Sequence, residues 1–245
     1  MHVRWLTAYL DFPAADFGPE VTFWRAISGS TVSPPRGPQK EFASLDPFNG
    51  DAHLRVQRID DGPGGTHLDI HVDDPAQASL EAEALGARLL ADYSTHRVLS
   101  SPAGGAFCLV PWTGEADRAR PIRWPGGTIS IIDQICFGIP DESFDTEVAF
   151  WAALTGQPTP ATGDIDRKAL SRDQSLSLQV VLLRTSEANR FGGYLDVATT
   201  SLPEEVERHE DWGAVVTERF ADHVVMADPT GRRYFISARN PRTGA

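Results

Sequence analysis

The chain has 245 residues, 41% of them hydrophobic and 23% charged, with a formal net charge of −12. That is the composition of a globular protein and enough length for one large domain or two of usual size. The acidic balance argues against nucleic acid as a partner, because contacting phosphates needs a basic surface, and no apolar run approaches the roughly 20 residues of a membrane span.

The opening stretch, "MHVRWLTAYLDFP", lacks the apolar core and small-residue cleavage site of a secretory signal and reads as a first strand over 3–12. A helix follows from Asp16 to Ile27, with Val21, Trp24 and Ile27 near one face and Gly29 as its stop. Short strands come next, ending in "HLRVQRI" at 53–59. "GPGG" at 62–65 reads as a turn; it lacks the following helix that a phosphate loop needs. "HLDIHV" at 67–72 is a strand and "DPAQASLEAEALGA" a helix, with Asp74 as cap, Pro75 at the first position and Gly86 at the end. Strands "HRVLSS" and "AFCLVPW" follow. Two cysteines, Cys108 and Cys136, are too few for a disulfide framework, so a cytoplasmic location is expected.

The chain then repeats itself. "FGPEVTFWRAISG" begins at Phe17 and "FDTEVAFWAALTG" at Phe144, an offset of 127 (144 − 17). Pro13 and Pro140 share it, as do Leu85-Gly86-Ala87 and Trp212-Gly213-Ala214, and "SPAGGAF" from Ser101 with "DPTGRRY" from Asp228. A constant offset across four landmarks means duplication. The reading is two domains, 1–112 and 128–240, joined by a Gly-, Pro- and charge-rich linker over 113–127. Each holds β-α-β-β-β twice, an α+β fold. Trp24 and Trp151, at matching helix positions beside Phe23 and Phe150, are expected in the core.

"HLDIHVDDPAQASLEAEALGA" followed by "SPAGGAFCLV" resembles the second half of a glyoxalase-like domain. Such domains belong to the vicinal oxygen chelate superfamily, with glyoxalase I, extradiol dioxygenases and the bleomycin- and fosfomycin-resistance proteins. "YLDVATTSLPEEVERHEDWGA" with "DPTGRRYFIS" matches less closely. The resemblance implies paired βαβββ modules whose sheets curl into a ligand cleft, with helices on the outer face. Modules of this superfamily sometimes pair across domains or chains, so a homodimer is compatible with it.

In a strand, alternate side chains share a face. Leu68, Ile70 and Val72 should meet the helix, leaving His67, Asp69 and His71 on the cleft face. The superfamily's metal positions fall here on Thr7, either Arg55 or Gln57, His67 and Cys108, and in the second copy on Gln134, Gln179, Tyr194 and Phe235. Neither set supplies the carboxylates a hard cation prefers. His67 and Cys108 are two soft ligands where zinc usually takes at least three. The expectation is therefore no metal or other cofactor. Candidate cleft residues are Trp5, Arg55, Gln57, His67, Asp69 and Cys108 in the first copy, and Asp133, Gln134, Gln179, Tyr194, Asp196 and Arg233 in the second.

Several functions fit these residues. One is binding or sequestration of a small organic molecule, as in metal-free resistance proteins of the superfamily; an acidic surface would attract a cationic aromatic compound. Another is a metal-independent isomerase, lyase or cyclase with His67 or Tyr194 as acid/base. A metal-dependent glyoxalase or dioxygenase is disfavoured by the ligand positions. A module with vestigial clefts completes the set. The first copy is expected to hold the working site, because it keeps His67, Asp69 and His71 where the second has Tyr194, Asp196 and Ala198.

Overall fold

The structure, a computed structural model, describes residues 1–160, 164–186 and 191–244. The first half of the chain forms β1 (Val3–Pro13), α1 (Phe17–Ser28), β2 (Thr31–Val32), β3 (Phe42–Asp46), β4 (Leu54–Ile59), β5 (Gly65–Val72), α2 (Pro75–Ala84), β6 (Arg88–Asp92), β7 (Arg97–Ser100) and β8 (Ala106–Pro111). The second forms β9 (Ile122–Arg123), β10 (Ile129–Pro140), α3 (Phe144–Thr155), β11 (Arg167–Ala169), β12 (Gln179–Thr185), β13 (Gly192–Thr199), α4 (Leu202–Glu210), β14 (Val215–Arg219), β15 (His223–Ala227) and β16 (Arg233–Ser237). This is the expected α+β repeat. No described helix is long and apolar enough to cross a membrane.

Local chemistry explains the helix ends. Asp74 Oδ1 accepts the free N–H groups of Ala76 (2.9 Å) and Gln77 (3.0 Å), and Pro75 fills the position where an N–H would be orphaned. α1 stops at Gly29, whose φ of 61° is left-handed and lets its N–H turn back onto Ala26. Asp16, by contrast, precedes α1 without a side-chain cap bond.

Each half contributes one eight-stranded sheet. The first runs β2-β3-β4-β1-β5-β8-β7-β6; the second runs β11-β12-β10-β13-β16-β15-β14, with β9 added on β10. Most of the described pairs are antiparallel; β5 with β8 and β13 with β16 are parallel. The parallel pairs set the site's register. Asp69 lies opposite Cys108, and Asp196 opposite Phe235.

Side-chain packing gathers the chain into two compact units, and each draws on both halves. The first contains Met1–Tyr9, Thr66–Asp117 and Ile135–Gly193. Its core centres on Trp151 of α3, which meets Phe107 of β8 at 5.4 Å and Phe137 of β10 at 4.9 Å between ring centroids. Glu147, one turn earlier and fully buried, accepts the Trp151 Nε1–H (2.7 Å) and the Ala103 amide (2.5 Å).

The second unit contains Leu10–Gly65, Arg118–Gln134 and Tyr194–Ala245. Trp24 of α1 packs there against Phe23 and against Tyr234 of β16, at 5.4 and 5.3 Å. Both tryptophans are core, as their matched positions predict. Hydrogen bonding in the sheets thus follows the halves of the sequence, while α1 and α3 each dock on strands of the opposite half. We keep 1–112 and 128–240 as the proposed limits of the repeated domains.

Candidate functional site

β5 is buried from Leu68 to Val72, its polar Asp69 and His71 included. Leu68, Ile70 and Val72 alternate with His67, Asp69 and His71 along it. Parallel pairing with β8 then brings Cys108 beside Asp69. One donor atom from each of His67, Asp69 and Cys108 lies within 4.8 Å of the others. His67 Nε2 is 3.5 Å from Asp69 Oδ1. Tyr9 of β1 stacks on His67, with ring centroids 5.0 Å apart and planes 2° apart. His67 is half-buried; Asp69 and Cys108 are buried.

The electrostatics give each group a role. Burial pushes the Cys108 thiol up; a hydrogen bond to His67 works against that, and the Asp69 charge adds to it. The thiol therefore stays protonated near neutrality, which is not how an activated nucleophile is prepared. Asp69 Oδ1 is buried and accepts no hydrogen bond among the described residues. A carboxylate oxygen so placed costs about 1–3 kcal/mol unless a donor reaches it.

Two residues further along β5, His71 makes a different network. It is buried, with Nε2 2.9 Å from the Thr7 hydroxyl and Nδ1 3.6 Å from Glu115 Oε1. Burial raises Glu115, but hydrogen bonds from Thr113 and the neighbouring His71 outweigh it and hold the carboxyl below its usual range. Thr7, at a superfamily metal position, is thus engaged with His71.

The second copy uses the equivalent places differently. Tyr194 meets Phe235 edge-on at 5.7 Å. Asp196 is buried, accepts the Ser237 hydroxyl (3.0 Å) and lies 3.4 Å from Arg239, which also donates to Asp133 (3.0 Å). One internal arginine is shared by both acids there.

The other sequence candidates are spread out. Trp5 is fully buried in the first unit, and Gln179 donates to the Leu170 carbonyl (2.7 Å). Arg55 and Gln57, half-buried on β4, and the buried Gln134 belong to the second unit. Arg233 is exposed and sits 3.6 Å from Glu218. Tyr9 and Glu115 were missed by sequence reading. Tyr9 alternates in phase with Thr7, a signal that was available; Glu115 lies in the segment read as linker. A pocket in the second unit, walled by Ile27, Phe48, Leu54, Ile122, Trp124 and Ile132, contains none of the candidates.

Whether the cluster suits a metal depends on its donors. Non-haem iron oxygenases use two histidines and a carboxylate around the metal. Here one histidine, one carboxylate and one thiol converge, and the residues do not fit that set. They do fit, in number and ligand type, the three protein ligands of a zinc-like ion. Sequence reading counted only two such donors because it did not bring Asp69 to His67 and Cys108.

Duplicated βαβββ modules, with His67, Asp69 and Cys108 converging on one face of β5 and β8, define a glyoxalase-like fold. The chain belongs to the glyoxalase-like domain family, whose profile matches residues 7–110 and 134–237. Its fold is similar to a triple mutant of 4-hydroxymandelate synthase from Streptomyces coelicolor, at 14% identity and TM-score 0.65, covering 100% of this chain and 94% of that one. It is similar to a Mn(II)-bound glyoxalase from Novosphingobium aromaticivorans, at 15% identity and TM-score 0.65, covering 96% and 81%. It also resembles 2,2',3-trihydroxybiphenyl 1,2-dioxygenase from Sphingomonas wittichii strain RW1, at 16% identity and TM-score 0.62, covering 96% and 90%. At these identities the likeness is one of fold. No curated protein matches the chain.

Proposed function

We propose that the chain is a metal-free binding protein for a small organic molecule, held at His67, Asp69 and Cys108. The observation that carries this reading is the buried Asp69 Oδ1, which accepts no hydrogen bond among the described residues and lies 3.5 Å from a half-buried histidine stacked on Tyr9. A ligand with an amine or hydroxyl donor would satisfy that oxygen. Its aromatic body would extend the Tyr9–His67 stack. The net charge of −12 favours a cationic form of it. The second copy differs in charge: its Asp196 Oδ1, which also accepts no hydrogen bond among the described residues, has the Arg239 guanidinium 3.4 Å away, where Asp69 has a histidine. The test is calorimetric screening of cationic and hydroxylated aromatic compounds against the whole chain. Binding that vanishes in Asp69→Asn and survives Tyr194→Phe supports the reading; binding indifferent to Asp69→Asn overturns it.

A second reading is a zinc-like ion held by the same three residues, favoured by their convergence within 4.8 Å. When bound, such an ion would supply a Lewis acid. Elemental analysis of the purified protein separates the two readings.

A further inference from the structure

The second compact unit buries a pair of acids that the proposed site does not use. Glu20 of α1 is fully buried, and Asp228, which opens the turn before β16, is 2% exposed. One main-chain N–H, that of Thr230, serves both: it lies 3.1 Å from Glu20 Oε1 and 3.1 Å from Asp228 Oδ1. Trp24 Nε1 donates to Glu20 Oε2 (3.0 Å), and the Arg232 amide (2.9 Å) and Thr230 hydroxyl (3.2 Å) donate to Asp228 Oδ1. Asp228 Oδ2 is buried and receives no hydrogen bond from an N–H or O–H among the described residues.

No cation compensates the pair among the described contacts. The groups facing it are Tyr234 on β16 and Glu205, Arg208 and His209 on α4. Burial holds the Tyr234 phenol protonated. Arg208 is engaged with Glu205 and with the Ile27 carbonyl (3.0 Å). The Arg232 guanidinium donates to the Pro63 carbonyl (2.9 Å) and lies 4.5 Å from the Phe12 ring centre. Two buried carboxyls that share one main-chain donor in such surroundings cannot both ionise cheaply.

We propose that Glu20 and Asp228 share one buried proton, and that this proton latches α1 onto the Asp228–Gly231 turn. Losing it sets two negative charges against each other and loosens the contact. The duplication supplies an internal comparison. Glu147, Trp151 and Ala103 repeat Glu20, Trp24 and Thr230 at the 127-residue offset, but Ser101 stands where the second copy has Asp228. Burial and then the Asp228 charge push Glu20 up to about 8. Burial also raises Glu147, without an adjoining carboxylate. The folded state therefore holds a proton that the unfolded chain releases at ordinary carboxyl values. Stability from the latch is present at low pH and falls as pH rises toward about 8.

The test is a carboxyl-carbon NMR titration of the whole chain with labelled Asp and Glu, alongside amide exchange at Thr230 and Ala103. The ratio of the two exchange rates cancels the intrinsic pH effect. In the wild type, one carboxyl stays protonated through neutrality and disappears from the spectrum of Glu20→Gln. The Thr230-to-Ala103 ratio rises severalfold with pH, and Asp228→Ser flattens that rise. A wild type whose acids are all ionised at neutral pH, or whose exchange ratio is flat, overturns the proposal. Assigning the protonated carboxyl to Glu20 rather than Glu147, together with the wild-type exchange ratio, decides it even if a variant fails to fold.

Discussion

The Tyr9 ring lies parallel to the His67 imidazole, 5.0 Å away and 2° from coplanar. The stack fixes the imidazole plane and leaves the Nε2 edge toward Asp69. Aromatic pairs of this kind contribute about 0.5–1.5 kcal/mol beyond area burial. Replacing Tyr9 by Leu keeps a large apolar side chain and removes the flat partner. The expected result is ligand affinity lowered by about tenfold, with a fall of roughly 2–4 °C in the thermal midpoint because Tyr9 is buried. His67→Ala should lower it further. If Tyr194→Phe abolishes binding while both first-unit changes leave it intact, the working site is in the wrong copy.

The donor set makes a second, independent prediction. If the site binds an organic molecule, elemental analysis of the purified chain finds less than stoichiometric metal, and Cys108→Ser binds the ligand nearly as well as the wild type. A serine preserves size and a weak donor but loses the thiolate that a soft metal needs. Added cobalt(II) provides the counter-test. A thiolate-to-cobalt charge-transfer band, lost in Cys108→Ser, would establish the metal reading instead.

Much of this was legible in the sequence because it rests on local periodicity. The 127-residue offset located both copies, and alternation in "HLDIHV" placed Leu68, Ile70 and Val72 opposite His67, Asp69 and His71. Asp74 and Gly29 marked helix ends through backbone chemistry that acts within a few residues. What stayed hidden depends on contacts distant along the chain. Arg239 reaches Asp133 across 106 residues, and Thr230 reaches Glu20 across 210. Nothing in a helical Glu-x-x-x-Trp spacing announces that the glutamate will bond a turn amide from the other half of the chain.

Phe107 tests how strongly the first unit depends on one such contact. It is fully buried on β8 and meets Trp151 at 5.4 Å and Phe150 at 6.0 Å. Its neighbour Cys108 belongs to the site, so loss of the ring would also free the β8 backbone that sets that residue's position. Truncation to Ala should cost about 3–5 kcal/mol. Urea melts are the measurement, and a cost below about 1 kcal/mol would show that the ring is not in the core.

Glu205 should give the second unit an acid limb opposite in sign to that of Glu20. It is fully buried on α4, with His209 Nε2 3.2 Å from Oε1 and Arg208 paired to the same oxygen. Burial alone would raise this carboxyl. Hydrogen bonds from His209 and Arg208, with the Arg208 charge, outweigh burial and hold it at about 2 against an ordinary 4.5. A depressed acid stabilises the fold above its unfolded value, and the benefit drains away as pH falls from about 4.5 toward about 2. The difference corresponds to about 3 kcal/mol. Glu205→Gln removes the charge that makes the limb, so its urea midpoint should depend less steeply on pH in that window while the wild type declines. The same substitution leaves Arg208 without its anion, so the variant should already be less stable at neutral pH. Parallel midpoint curves for the two proteins below about pH 4.5 would mean that Glu205 titrates alike in the folded and unfolded chains.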